Sequence, residues 1–94
     1  MIVVRNCFTA KPGQASKLAA QIKEATTAAQ IPNARVLTDL TGDFNRVVLE
    51  YEAENMVEFE ARLKQYMSDG VLREKLQGYT DHWLTGHREI LQIL

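Results

Sequence analysis

The sequence predicts an α+β fold: a four-stranded antiparallel sheet with helices on one face, in the order β-α-β-β-α-(α)-β. Three observations carry that prediction. The chain opens on a short run whose apolar residues fall on both alternation sets. Two later segments repeat apolar residues at i, i+3, i+4 and i+7, the stripe of an amphipathic helix. Between them, two extended runs flank a Gly/Asp/Asn cluster, the pattern of a hairpin. With 94 residues, 46% hydrophobic and 24% charged, the chain fits one domain spanning 1–94.

Residues 1–9 read as a central strand, because Ile2, Val3, Val4, Cys7 and Phe8 supply apolar side chains to both faces. Pro12-Gly13 ends it. From Gln14 to about Gln30, Ala15, Leu18, Ala19, Ile22, Ala25 and Ala29 form a helical stripe opposite Gln14, Lys17, Gln21 and Glu24, and Pro32 stops the helix. Arg35 to Thr41 and Arg46 to Ala53 form the hairpin around Gly42-Asp43-Phe44-Asn45. In its second strand Val47, Leu49, Tyr51 and Ala53 share one face, and Val48, Glu50 and Glu52 the other. Asn55 caps the next helix, with Glu58 completing a capping box in residue type. Met56, Phe59, Leu63, Tyr66 and Met67 form its stripe. After Ser68-Asp69-Gly70, the spacing of Leu72, Leu76, Tyr79 and Trp83 predicts a shorter helix from about Val71 to His82. Gly86 then releases the chain into a final strand, Arg88 to Leu94.

This order is the split βαβ, or ferredoxin-like, pattern. A single layer of helices leaves the other sheet face uncovered. That open face is expected to carry Val3, Val48, Glu50 and Glu52, with Arg88, Ile90 and Gln92 from the last strand. The simplest cover is a second copy of the chain, so a homodimer through the open sheet face is expected.

A net charge of −1 argues against nonspecific nucleic-acid binding. The charge is nevertheless uneven, +3 over residues 1–47 and −4 over 48–94. No apolar run approaches the ~20 residues needed to span a bilayer. Arg5 and Asn6 follow Met1-Ile2-Val3-Val4 too soon for a leader peptide, and the expected location is cytoplasmic. One cysteine, Cys7, leaves no internal disulfide and no cysteine-held cluster. GxGxxG, Walker and GxSxG loops are all missing from the sequence.

Three stretches carry a resemblance: Val3-Val4-Arg5 running into Lys11-Pro12-Gly13, Leu49-Glu50-Tyr51-Glu52, and Gly86-His87-Arg88-Glu89-Ile90-Leu91. Across essentially its whole length the chain resembles dimeric α/β-barrel proteins of the antibiotic-biosynthesis-monooxygenase-like and NIPSNAP-like families. The resemblance implies a dimer built on facing sheets. Its members include cofactor-free oxygenases, haem-degrading enzymes, isomerising enzymes and proteins without an assigned activity. Haem-degrading members resemble this chain in placing an Asn seven residues before a loop Gly, as Asn6 and Gly13 stand here. They also need a His and a Trp that the helix from Met56 to Met67 lacks; the ligand position falls near Lys75 or Leu76. No haem or other cofactor is therefore expected.

Few residues have chemical potential. His82 and His87 lie five apart across a glycine, not at the i, i+4 spacing of two ligands on one helical face, so no metal site is expected. His82 follows Asp81 and is a candidate catalytic residue or a hydrogen-bonded histidine at a helix end. Asn6 is the other catalytic candidate. Arg5 and Asn6 sit on the central strand, where each needs partners: an ion pair of Arg5 or Arg88 with Glu50 or Glu52, or a ligand to orient. Cys7 reads as a buried, inert small hydrophobe, and Trp83, Tyr79 and Tyr66 as core of the helical layer. Arg5, Tyr79, Trp83 and His87 are the ligand-binding candidates. Two functions fit. One is a homodimeric module that binds a small apolar or aromatic ligand or simply assembles. The other is a cofactor-independent monooxygenase- or isomerase-like enzyme acting on a small, partly aromatic substrate between helices and sheet.

Overall fold

The computed structural model describes residues Met1–Leu94. Its elements are β1 (Ile2–Ala10), α1 (Ala15–Ala28), β2 (Arg35–Thr38), β3 (Arg46–Ala53), α2 (Met56–Ser68), α3 (Gly70–Lys75), a 3-10 turn (Tyr79–His82) and β4 (Trp83–Gln92). The strands form one sheet in the order β2-β3-β1-β4, with every neighbour antiparallel. This is the ferredoxin-like arrangement that the element order predicts, with the helices on one face.

Local chemistry explains the element ends. Asn55 Oδ1 accepts from the Glu58 N–H at 2.9 Å, opening α2. The returning carboxylate of Glu58 accepts from the Glu54 N–H, one residue before the cap. Asp69 caps α3 by accepting from the N–H groups of Val71 and Leu72. Gln30, in the left-handed region at φ 54°, ends α1 ahead of Pro32. Beyond Thr38, Asp39 Oδ1 takes the Arg46 N–H at 3.1 Å, so β2 stops three residues short of the expected Thr41.

Two expectations fail at the C-terminal end. The helix foreseen from Val71 to His82 is broken: α3 ends at Lys75, and Gly78 sits at φ +79°, a left-handed position that terminates helices. The final strand begins at Trp83, not Arg88, and Gly86 lies inside it, opposite Phe8. A Cβ at Gly86 would stand 3.1 Å from Phe8 Cδ1 and 3.2 Å from the Cys7 carbonyl oxygen. The glycine thus permits close approach of β4 to β1 and does not release the chain.

Register also corrects the faces. Opposed residues in an antiparallel pair point the same way. Val4 faces Tyr51 and Ile90, and Asn6 faces Leu49 and Arg88. Arg88, Ile90 and Gln92 therefore lie on the helix-covered face. The open face receives His87, Glu89 and Leu91 in their place, beside Val3, Arg5, Cys7, Val48, Glu50 and Glu52. The alternation of β4 did not reveal this, because both of its faces mix polar and apolar residues. Between Thr85 and Trp83 the register slips by one, leaving Leu84 exposed and turning Trp83 toward Ala10 on the covered side.

The covered face is packed in two clusters. Val4, Tyr51, Ala53 and Phe59 tie α2 to the sheet. Ala10, Leu18, Ile22 and Val47 tie α1 to it, with Phe8, Tyr79 and Trp83 against them. α3, not α2, is the main helical neighbour of α1, so a gap remains between the two long helices.

Candidate functional site

That gap is a cleft of about 770 Å³. Its floor is Asn6, Phe8, Leu49, Tyr51 and Arg88 from the sheet, and its walls come from α1, α2 and the α3 segment. Alternation along β1 and β3 supplies the floor, since Asn6, Leu49 and Arg88 are opposed residues. Most of the lining is apolar, including Ile22, Ile31, Leu63, Met67 and Leu76.

One polar pair stands out on this floor. Arg88 Nε donates to Asn6 Oδ1 at 2.8 Å, and its guanidinium lies 5.5 Å from the centre of the Phe59 ring. The bond fixes the guanidinium and leaves its outer N–H groups without a carboxylate partner. Tyr51 lies beside the pair, its ring edge-on to Tyr66 at 6.5 Å. Burial pushes the Tyr51 phenol up, against the opposing pull of Arg88, so it remains an O–H donor at neutral pH. Asn6, Arg88 and Tyr51 thus give an apolar cleft hydrogen-bond donors where a carbonyl, phenolate or carboxylate would be held.

The other sequence candidates scatter. Tyr79 lines the cleft near Gln77 and Gly78. Trp83 does not; it packs on Phe8 at 5.4 Å and Tyr79 at 6.2 Å, with its buried Nε1–H lacking a partner. His82 is held away from the cleft, its Nδ1 3.1 Å from Gln14 Oε1. Arg5 and His87 lie on the opposite face of the sheet. There Arg5 Nε donates to Glu50 Oε2 at 2.9 Å and Arg35 Nε to Glu50 Oε1 at 3.1 Å. Arg35, then Arg5, hold the Glu50 carboxyl below the usual carboxylate range against the effect of its burial. The Arg5–Glu50 ion pair anticipated from sequence is therefore present, while Arg88 serves the cleft instead. Sequence reading missed Arg88 as a site residue because its face depends on register, and missed Tyr51 because an apolar strand position reads as core.

No protein-family model and no curated protein matches the chain by sequence. Solved structures do match by shape. A NIPSNAP domain protein from Burkholderia xenovorans superposes with a TM-score of 0.87 at 13% identity, over 100% of this chain and 95% of that one. A NIPSNAP family protein from Agrobacterium tumefaciens gives 0.86 at 13%, over 99% and 92%. The fold is that of NIPSNAP proteins. An antibiotic biosynthesis monooxygenase shares it too, at 0.75 and 13% over 100% and 99%. At these identities the likeness establishes the fold alone. No helix is long and apolar enough to cross a membrane.

Proposed function

We propose that this NIPSNAP-fold chain is a homodimeric small-ligand-binding module whose cleft takes a compact, partly aromatic molecule bearing one polar group. The observation that carries the reading is the cleft of about 770 Å³ between α1 and α2, lined mostly by apolar side chains and floored by the fixed Asn6–Arg88 pair. A volume of this size suits a small organic ligand. The dimer is supported by the open sheet face, where Leu91 and Leu37 are exposed around charged residues. Covering it buries more than about 1,200 Å² in a stable interface.

A second reading, a cofactor-independent monooxygenase- or isomerase-like enzyme, is favoured by the same pair. Arg88, held by Asn6, offers guanidinium N–H donors to a carbonyl or enolate oxygen bound against the apolar part of the lining. The relative named an antibiotic biosynthesis monooxygenase lends this reading its reaction class.

Native mass spectrometry of freshly purified protein tests both halves of the proposal. A dimer retaining a small organic molecule is expected, with the ligand lost in Leu63→Trp, which fills the cleft. Sedimentation at micromolar concentration showing only the 10.7 kDa monomer would remove the dimer. Ligand retained unchanged in Leu63→Trp would remove the cleft.

A further inference from the structure

We propose that Cys7, His87 and Glu89 form a binding site for a divalent transition metal of zinc-like softness on the open face of the sheet. Cys7 on β1 is the register partner of His87 on β4, and Glu89 stands two residues further along the same face. One donor atom from each of the three lies within 4.8 Å of the other two. His87 Nε2 and Glu89 Oε2 are already 3.0 Å apart. Tetrahedral bonds of about 2.0–2.3 Å place donors roughly 3–4 Å from one another, so side-chain rotation alone closes the set.

The donor types fit the assignment. Thiolate, imidazole and carboxylate are the ligands zinc takes, while calcium and magnesium prefer all-oxygen sets. Three protein donors leave a fourth position for water or for a group brought by whatever covers this face. Glu50 is shared between Arg5 and Arg35, and Arg46 also borders Cys7, so the negative charge available to a cation here comes from Glu89 and Asp39. Asp39 borders the adjoining hollow of about 220 Å³, and its Oδ2 is buried without a hydrogen-bond partner.

The spacing of His82 and His87 argued against a metal site, and it is not their spacing that builds this one. Strand pairing brings Cys7 to His87 from the far end of the chain. The site lies on the opposite side of the sheet from the cleft and stands independently of it.

Titration of the purified chain with Co²⁺, followed by Zn²⁺ displacement, tests the proposal. One Co²⁺ per chain is expected, with a thiolate-to-cobalt charge-transfer band that Zn²⁺ abolishes. His87→Gln and Glu89→Gln change exposed side chains and leave the fold intact. Each should weaken binding by at least the ~10-fold that loss of even an outer-shell partner costs. Cys7→Ser should remove the charge-transfer band, and Glu52→Gln, another open-face carboxylate, should leave it unchanged. The site is overturned if no saturable band forms, or if His87→Gln and Glu89→Gln bind Co²⁺ as the parent chain does.

Discussion

The two faces of the sheet solve the same problem differently. On the covered face, β1 and β3 bury Val4, Ala10, Val47, Tyr51 and Ala53 against helices, and the Asn6–Arg88 pair lies on the cleft floor. On the open face no helix arrives, yet Glu50 is only 6% exposed and Cys7 only 4%. Lateral neighbours bury them: Arg35 and Arg5 flank Glu50 across three strands, and His87 stands opposite Cys7. Burial on the first face comes from packing between layers, and on the second from side chains lying over one another within a layer. The first is close-packed outside the cleft. The second is held by charge, and its apolar residues still await a cover.

The sharpest break of this contrast is expected at Trp83. Trp83→Ala removes an indole packed on Phe8 and Tyr79 and should cost about 3–5 kcal/mol in urea unfolding, without changing cleft binding. Trp83→Phe should cost much less, since it also deletes a buried N–H that has no partner. His87→Ala, on the other face, should shift stability by no more than about 0.5 kcal/mol.

Neighbouring valines compare the faces directly. Val47→Ala, fully buried under α1, should cost ~1.5–3 kcal/mol at any protein concentration. Val48→Ala deletes the same atoms from the open face. Its cost should grow with protein concentration, because it falls on the dimer; equal, concentration-independent losses at the two sites would erase the distinction.

Acid unfolding probes the charge-held face. The folded pKa of Glu50 is depressed, so its contribution is fully present above the unfolded carboxyl value near ~4.3 and is lost as pH falls through the lower folded value. Glu50→Gln should remove about 1–3 kcal/mol at pH 7 and flatten the acid limb of the stability curve. An unchanged limb would assign acid sensitivity elsewhere. A modest loss of about 1 kcal/mol is expected from Asn55→Ala, because it deletes one cap bond on α2.

Much of this was legible in the residues. Apolar periodicity located β1, α1, β3 and α2, because each buries one continuous stripe or face, and Asn55 with Glu58 marked the start of α2. The C-terminal third was harder. Leu76, Tyr79 and Trp83 do pack against the α1 cluster, but a left-handed Gly78 lets a broken path reach the contacts that one helix would. Alternation in β4 is degenerate, so the faces of Arg88 and His87 were decided only by pairing with Asn6 and Cys7. The candidate site suffered most from this: a cleft and a donor set both depend on which residues stand opposite, a relation absent from any local window.

The slip at Leu84 acts as a phase shift in the strand. Everything C-terminal to it keeps its parity with β1, and Trp83 before it is rotated onto the other side. Excising Leu84 would restore strict alternation and leave Trp83 opposite Ala10, whereas removing the slip with Leu84 kept would carry Trp83 to the open face, emptying the wall beside Phe8 and setting an indole among the charges. His87, Glu89 and Arg88, downstream, would keep their places. One extra residue therefore separates the part of β4 that builds the core from the part that carries chemistry, and lets each vary without disturbing the other.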